Sequence, residues 1–414
     1  MRILGIETSC DETAAAVVEN GTWILSNVVN SQIDIHKVYG GVVPEVAARS
    51  HIEVINAVID EAVRESVSST TIPGRSASPS LRVSSLKTRR DSDSPGMVVA
   101  GTDQLELGWS QIGAIAVTYA PGLIGSLLVG TLAARTLAIL KNKPLYPIHH
   151  IESHIYANAL GSSPLAASEQ SLRGNTPLGV GANLPHKDCY EVAASLNFPV
   201  LALVVSGGHT QIILLKNHGD FKIIGTTRDD AVGEVFDKVA KIIGLPYPGG
   251  PSISKAALNG NRNAYKLPKS KLDSPYDFSF SGLKTATLRA VQKAVDKPIS
   301  FPSHQLAELL TDQQRNDFAA SFEATAVDTL VDKVLLAYND FKPKTVVIAG
   351  GVAANKCLRQ QLKQRLPINI DYAPMNLCTD NAAMVASAGY WHAKREKPTD
   401  PYELDVTPQL KLVE

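Results

Sequence analysis

Two stretches of this chain follow one plan at one spacing, and that repetition limits the folds open to it more than any other feature. Ile3 to Ile6 is apolar, Glu7 to Thr13 is a polar turn, Ala14 to Val18 is apolar again, and Trp23 to Val28 follows Asn20-Gly21. Leu201 to Val205, the turn Ser206 to Thr210, Ile212 to Leu215, the tight turn Asn217-His218-Gly219 and Phe221 to Ile224 repeat this order. Ile3 to Gly21 and Leu201 to Gly219 are equally spaced. Short β-prone runs punctuated by turn residues read as antiparallel meanders. A meander that recurs in register reads as an internal duplication.

After each meander the texture turns helical and returns to an apolar strand, as α/β layering requires. In the first half, Ile112 to Val117 reads as a strand, and Gly122 to Ser126 opens a helix that continues to Leu140. In the second, Phe318, Phe322, Ala326, Leu330 and Val334 recur at helical spacing before the strand Thr345 to Ile348. Lys356 to Leu366 reads as a further helix. Two segments break the order. Ser66 to Met97 is rich in Ser, Thr, Pro and Arg, which predicts a disordered or mobile insertion. Gly161 to Asn197 has no sustained period and reads as an irregular connection between the halves.

At 414 residues and 44% hydrophobic, the chain is long enough for two buried cores. Forty basic residues balance forty acidic ones, so no global positive field marks a nucleic-acid binder. Four scattered cysteines without a CxxC pair argue against a zinc knuckle or a disulfide framework. No apolar run is long enough to span a bilayer, and Glu7, Asp11 and Glu12 interrupt any signal-like core near the start, so a reducing cytoplasmic setting is expected.

Chemistry concentrates at few places. His150 and His154 are four apart, so on a helix they share one face and can grip one metal ion; an isolated pair can equally be two core histidines. A third ligand decides between these readings, and Asp380, in Cys378-Thr379-Asp380-Asn381 at the mouth of the last apolar helix, is the best candidate. Two imidazoles and a carboxylate with open positions suit iron(II) or zinc. Glu152 lies midway between the histidines, so this is not the HExxH zinc-protease pattern. Three turns, Thr8 to Thr13, Ser206 to Thr210 and Gly350 to Asn355, follow strands and carry the Gly, Ser and Thr that let backbone N–H groups approach phosphate. Asp11 and Glu12 put two carboxylates at the first of them, either as a solvated acidic tip or for acid/base work. Asp230 to Lys238 reads as the start of a helix and Tyr247 to Pro251 as a close-approach loop. Asp277 to Lys284 reads equally as a strand edge or a binding surface.

Taken together, Gly5 to Thr13, Gly40 to Glu45, Pro121 to Ser126, His150 to His154, Ser206 to Thr210, Gly233 to Lys238, Asp277 to Lys284, Gly350 to Asn355 and Cys378 to Asn381 resemble the tRNA N6-adenosine threonylcarbamoyltransferase family, formerly described as O-sialoglycoprotein endopeptidases. The resemblance implies the duplicated two-domain α/β fold of actin, sugar kinases and heat-shock chaperones (ASKHA), with nucleotide in the cleft between the domains. It implies a first domain over residues 1–150, completed by 376–405, and a second over 151–375. It implies that His150, His154 and Asp380 bind one divalent metal. Val205, Ser206, Gly207, Gly208 and His209, with Asp237, Gly250 and Asn355, would hold the adenylate substrate, and Asp11 and Glu12 would stand near the chemistry.

The implied reaction moves threonylcarbamoyl from threonylcarbamoyl-AMP to N6 of the adenosine 3′ of the anticodon in ANN-reading tRNAs. Implied partners are tRNA, a paralogous ASKHA subunit, a P-loop ATPase-like subunit and a threonylcarbamoyl-AMP synthase, with no membrane. Three departures stand out: the insertion from Ser66 to Met97, the long connection from Gly161 to Asn197, and Ser254 where some members carry an acidic substrate contact. Two rival readings remain. A metalloprotease rests on the histidines alone and leaves the phosphate-type turns without a purpose. A non-catalytic ATP-binding module of the same fold uses the turns but needs no metal set.

Overall fold

The first meander forms β1 (Arg2–Glu7), β2 (Glu12–Glu19) and β3 (Trp23–Ser31), each antiparallel to the next. The computed structural model describes residues 1–71, 99–162 and 196–412. These fall into two units, Met1–Ser195 with Asp380–Leu412, and Leu196–Thr379.

In the first unit α1 (Ile33–Lys37) and α2 (Pro44–Thr71) follow the meander. Then come α3 (Val99–Gln111), β4 (Ile112–Ala120), α4 (Ile124–Leu140), β5 (Leu145–His149), α5 (His150–Tyr156) and the short β6 (Gly161–Ser162). The sheet runs in the order β5-β4-β1-β2-β3-β6, with β4 parallel to β1 and β5 parallel to β4. Strand alternation sorts its residues. Leu4, Ile6, Ala15, Val17, Ile115 and Val117 bury against Ile55, Val58 and Ile59 of α2.

The second unit begins with the second meander, β7 (Val200–Val205), β8 (Thr210–Asn217) and β9 (Asp220–Thr226). It continues with α6 (Val232–Ile242), α7 (Gly249–Ala257), α8 (Ser281–Ala294), α9 (Asp312–Phe341), β10 (Thr345–Ala349), α10 (Lys356–Arg365) and β11 (Ile370–Tyr372). Its sheet order is β11-β10-β7-β8-β9, strand for strand the plan of β5-β4-β1-β2-β3, so the inferred duplication is real. The turns agree too: Gly21 and Gly219 both adopt positive φ, 72° and 75°. The predicted apolar stripe of α9 is its core face, with Phe318, Phe322, Ala326, Leu330 and Val334 all buried. A capping box of Thr311 and Gln314 starts that helix.

The chain closes with α11 (Ala382–Arg395), which belongs to the first unit and lies on the face of its sheet opposite α2. The close approach depends on Gly5, where an added Cβ would stand 2.7 Å from the Ala386 backbone nitrogen.

Two expectations are corrected. Ser66 to Thr71 are not part of a disordered insertion: they are the last residues of α2, where Ser66 and Val67 are buried and the Ser66 hydroxyl donates to the Val63 carbonyl at 2.7 Å. The helical period, seen in Val63 and Val67, continues past the point where the composition turns polar. The rest of that prediction, residues 72–97, lies outside the described residues. Gly161 and Ser162 are likewise not irregular, since they pair parallel with Trp23 and Ile24 of β3. Residues 163–195 of the expected connection lie outside the described residues. Among the described residues the units divide between Ser162 and Leu196 and after Thr379, whereas the resemblance implied a boundary at 150/151 and a return at 376; α5 lies in the first unit, packed on α11.

Candidate active site

β5 runs directly into α5, so His150 and His154 occupy the first helical turns beyond a sheet edge. At a spacing of four they face the same way, with ring centroids 4.6 Å apart. His149 caps the helix by accepting from the Ile151 N–H at 3.2 Å, and its Nε2 donates to the Leu410 carbonyl at 3.2 Å. Burial lowers its pKa to about 4, so the ring is neutral at physiological pH and can accept as well as donate.

Asp380 joins them from the entry of α11, whose N-cap is Asn381. Its Oδ1 is 3.2 Å from His154 Nε2 and 3.6 Å from His150 Nε2, and the two Nε2 atoms are 3.2 Å apart. All three donor atoms lie within 4.8 Å of one another. This donor set fits a divalent cation: a proton can bridge only one pair of these atoms at a time, whereas one ion accepts all three lone pairs.

Glu7 is the residue that sequence reasoning missed. It ends β1, is fully buried, and holds His150 Nδ1 at 3.2 Å from its Oε2. Thr118 donates to the same oxygen at 2.6 Å and the Ser9 N–H to the other at 2.5 Å. Burial pushes the Glu7 carboxyl up, but the neighbouring His150 and the hydrogen bonds from His150 and Ser9 bring it below its usual value. Burial likewise works against a charged His150, yet Asp380 and Glu7 together raise it to about 9. A carboxylate behind one ring nitrogen leaves the other nitrogen's lone pair directed at a metal, which is how ligating histidines are usually oriented. The signal was a carboxylate at the end of an otherwise apolar strand.

The turn after Glu7 carries Cys10, Asp11 and Glu12. Burial first, then the carboxylates of Asp11 and Asp380, push Glu12 well above the usual carboxylate range, although Ser31 Oγ donates to it at 3.3 Å. Burial and the same acidic neighbours push the Cys10 thiol up, so it is no thiolate nucleophile. The turn is fixed from behind by buried His51, whose Nε2 donates to the Cys10 carbonyl at 3.0 Å while its Nδ1 accepts from Thr13 Oγ1 at 2.7 Å.

In the second unit Val205 to His209 and the turn from Gly350 to Asn355 follow the C-terminal ends of β7 and β10, where open α/β sheets bind ligands, while Asp237 and Gly250 lie on α6 and α7. Gly350, at φ 87°, brings its turn against Val205, to within 2.8 Å of the carbonyl carbon for an added Cβ. Val205 itself is buried, so only its backbone is available. Ser206 Oγ accepts from the His209 N–H at 3.2 Å and shapes a turn whose tip, Gly207 and Gly208, is exposed. A Cβ on Gly207, Gly208, Gly250 or Gly351 would meet no heavy atom within 4 Å. Asp237 Oδ1 accepts from the Gly249 N–H at 2.6 Å and sets the start of α7. Asn355 caps α10 by accepting from the Leu358 N–H at 2.8 Å. The Asp277 to Lys284 stretch is mostly structural: Phe278 bridges to Thr227, and Lys284 Nζ pairs with Asp230 at 2.6 Å.

Two copies of one mixed α/β plan define the ASKHA class. HypF from T. kodakarensis has a similar fold, with a TM-score of 0.50 and 12% identity over 95% of this chain and 48% of that one. A family model described as tRNA N6-adenosine threonylcarbamoyltransferase matches residues 23–72, 95–168 and 186–387. The protein of that name from Thermomicrobium roseum is 42% identical over 420 residues, covering 100% of this chain and 97% of its own length. Its namesake from Geobacillus kaustophilus is 40% identical, covering 99% and 97%. The chain belongs to the tRNA N6-adenosine threonylcarbamoyltransferase family.

Proposed function

We propose that this chain is an acyltransferase of tRNA modification that moves the threonylcarbamoyl group from threonylcarbamoyl-AMP to N6 of the adenosine 3′ of the anticodon in ANN-reading tRNAs, forming threonylcarbamoyladenosine. Full-length similarity to transferases of that name supports the reaction. The structural observation that carries it is the convergence of His150, His154 and Asp380 with Glu7 behind His150.

In this reading His150, His154 and Asp380 hold one divalent metal, iron(II) or alternatively zinc. A bound metal supplies Lewis acidity toward the carbamoyl oxygens. Val205 to His209, Asp237, Gly250 and Asn355 belong to the adenylate site, with the backbone N–H groups of the glycine-rich turns directed at phosphate. Burial and its acidic neighbours push the Glu12 carboxyl above its usual range, and we assign Asp11, beside it in the turn, as the carboxylate that takes the proton from the attacking N6 amine. The N6–carbon bond forms, the bond from that carbon to the phosphate oxygen breaks, and AMP leaves with the electron pair.

No helix among the described residues is long and apolar enough to cross a membrane, and we assign the chain to the cytoplasm, where its tRNA substrate is. A paralogous ASKHA subunit, a P-loop ATPase-like subunit and a threonylcarbamoyl-AMP synthase are its proposed helpers. Incubating the metal-loaded protein, with and without those helpers, with threonylcarbamoyl-AMP and unmodified tRNA tests the reading. AMP release that depends on tRNA supports it, and AMP release without any change in tRNA mass contradicts it. Of the rivals, the metalloprotease lacks a general base placed as in HExxH, since Glu152 is bound to His392 at 3.0 Å.

A further inference from the structure

Glu323 projects from α9 and is only 7% exposed, yet among the described residues no cation pairs with it. Arg262 and Lys269, on the segment before α8, pair instead with Asp328 and Asp332. A buried carboxylate normally has a charged partner or a full set of donors. Glu323 has two neutral donors on a single oxygen: Ser254 Oγ at 2.6 Å and Asn355 Nδ2 at 2.8 Å both reach Oε1. Among the described residues Oε2 takes no hydrogen bond, and it is not fully enclosed, so a ligand atom can reach it.

The neighbours are already committed. Asn355 spends its amide hydrogens on Glu323 and, at 3.0 Å, on Ser254 Oγ, while its Oδ1 caps α10. Asn355 is thus built to orient the carboxylate. Ser254 donates to Glu323 and accepts from Asn355, which leaves its hydroxyl one lone pair. Ser254 lies one helical turn after Gly250 on α7, on the face where Gly250 leaves open space.

We propose that Glu323 is a ligand-binding residue that accepts hydrogen bonds from the vicinal 2′- and 3′-hydroxyls of the adenylate ribose, with Ser254 Oγ as the second acceptor. The inference rests on the adenylate reading of this unit. An ionised carboxylate is acceptor-only, so the part of the ligand that meets it must bring donors, and it repels the phosphate. An adenylate offers donors at the ribose hydroxyls and at the N6 amine. Two adjacent acceptors, Oε2 and Ser254 Oγ, match a vicinal diol better than one amine.

The test compares the wild-type full chain with Glu323→Gln, titrated calorimetrically with AMP, IMP and 2′,3′-dideoxy-AMP. Glutamine keeps an oxygen for Ser254 and Asn355 and turns the open position into a donor, so an unchanged thermal transition controls for folding. Loss of a charge-assisted bond predicts AMP binding about 10- to 100-fold weaker in the variant. IMP should weaken equally, and dideoxy-AMP should bind both proteins alike. Equal AMP affinity in the two proteins, or an equal loss for AMP and dideoxy-AMP, overturns the assignment, as does a loss confined to ligands carrying the N6 amine. A wild-type chain that binds none of the three overturns the adenylate reading itself, and the assignment with it.

Discussion

Glu7 Oε2 and His150 Nδ1 lie 3.2 Å apart and both residues are buried, so the strand that opens the chain orients the first histidine of the candidate metal set. Charge and orientation both come from the carboxylate. Glu7→Gln keeps the shape but removes the charge, and should weaken metal binding about 10- to 100-fold, as loss of a supporting partner typically does. His150→Ala and Asp380→Ala should bind less metal still. Competition against a calibrated chelator measures this, and unchanged affinity in Glu7→Gln would separate Glu7 from the metal.

Glycines in the second unit divide into two kinds. Gly208 is exposed with no heavy atom within 4 Å of an added Cβ, whereas a Cβ on Gly233 would meet the Ser206 carbonyl oxygen at 2.5 Å. Gly208→Val should leave the thermal transition unchanged, keep the metal and weaken AMP binding strongly. Gly233→Val should destabilise the fold by about 1–3 kcal/mol through overpacking. Thermal melts alongside AMP titrations check both, and a Gly208→Val protein with wild-type AMP affinity would remove that turn from the site.

His392 on α11 lies between Glu152, 3.0 Å from its Nε2, and Glu396, 3.0 Å from its Nδ1. Burial lowers its pKa, but the hydrogen bonds and charges of the two carboxylates outweigh this and raise it above the usual value. Its stabilising contribution is therefore fully present below the unfolded histidine pKa of about 6.5 and fades as pH rises through the raised folded value. Urea denaturation of the wild type and His392→Gln across this window should show the stability gap shrinking toward alkaline pH. A gap that widens there contradicts the pairing.

What sequence alone revealed tracks how local the cause is. The meanders, the stripe of Phe318 to Val334 on α9 and the pairing of His150 with His154 follow from periods of two and 3.6 residues, and these were legible. Asp380 was nominated by its residue type, and its approach to the histidines depends on α11 packing over Gly5, which no local pattern encodes. Glu7 and Glu323 were missed because each gains its role from partners distant in sequence, His150 and Thr118 for one, Ser254 and Asn355 for the other. The end of α2 misled because Ser66 satisfies its hydroxyl within its own helix, so polar composition there did not mean disorder.

The central claim joins the metal set to threonylcarbamoyl transfer, and one comparison addresses it directly. Wild type, His154→Ala and Asp11→Asn, each with its helpers, are given unmodified tRNA and threonylcarbamoyl-AMP, and the tRNA is digested and searched for threonylcarbamoyladenosine by mass spectrometry. The expected result is product from the wild type only, with metal depleted in His154→Ala and retained in Asp11→Asn. Product from His154→Ala at the wild-type rate, or none from a metal-loaded wild type, would contradict the account.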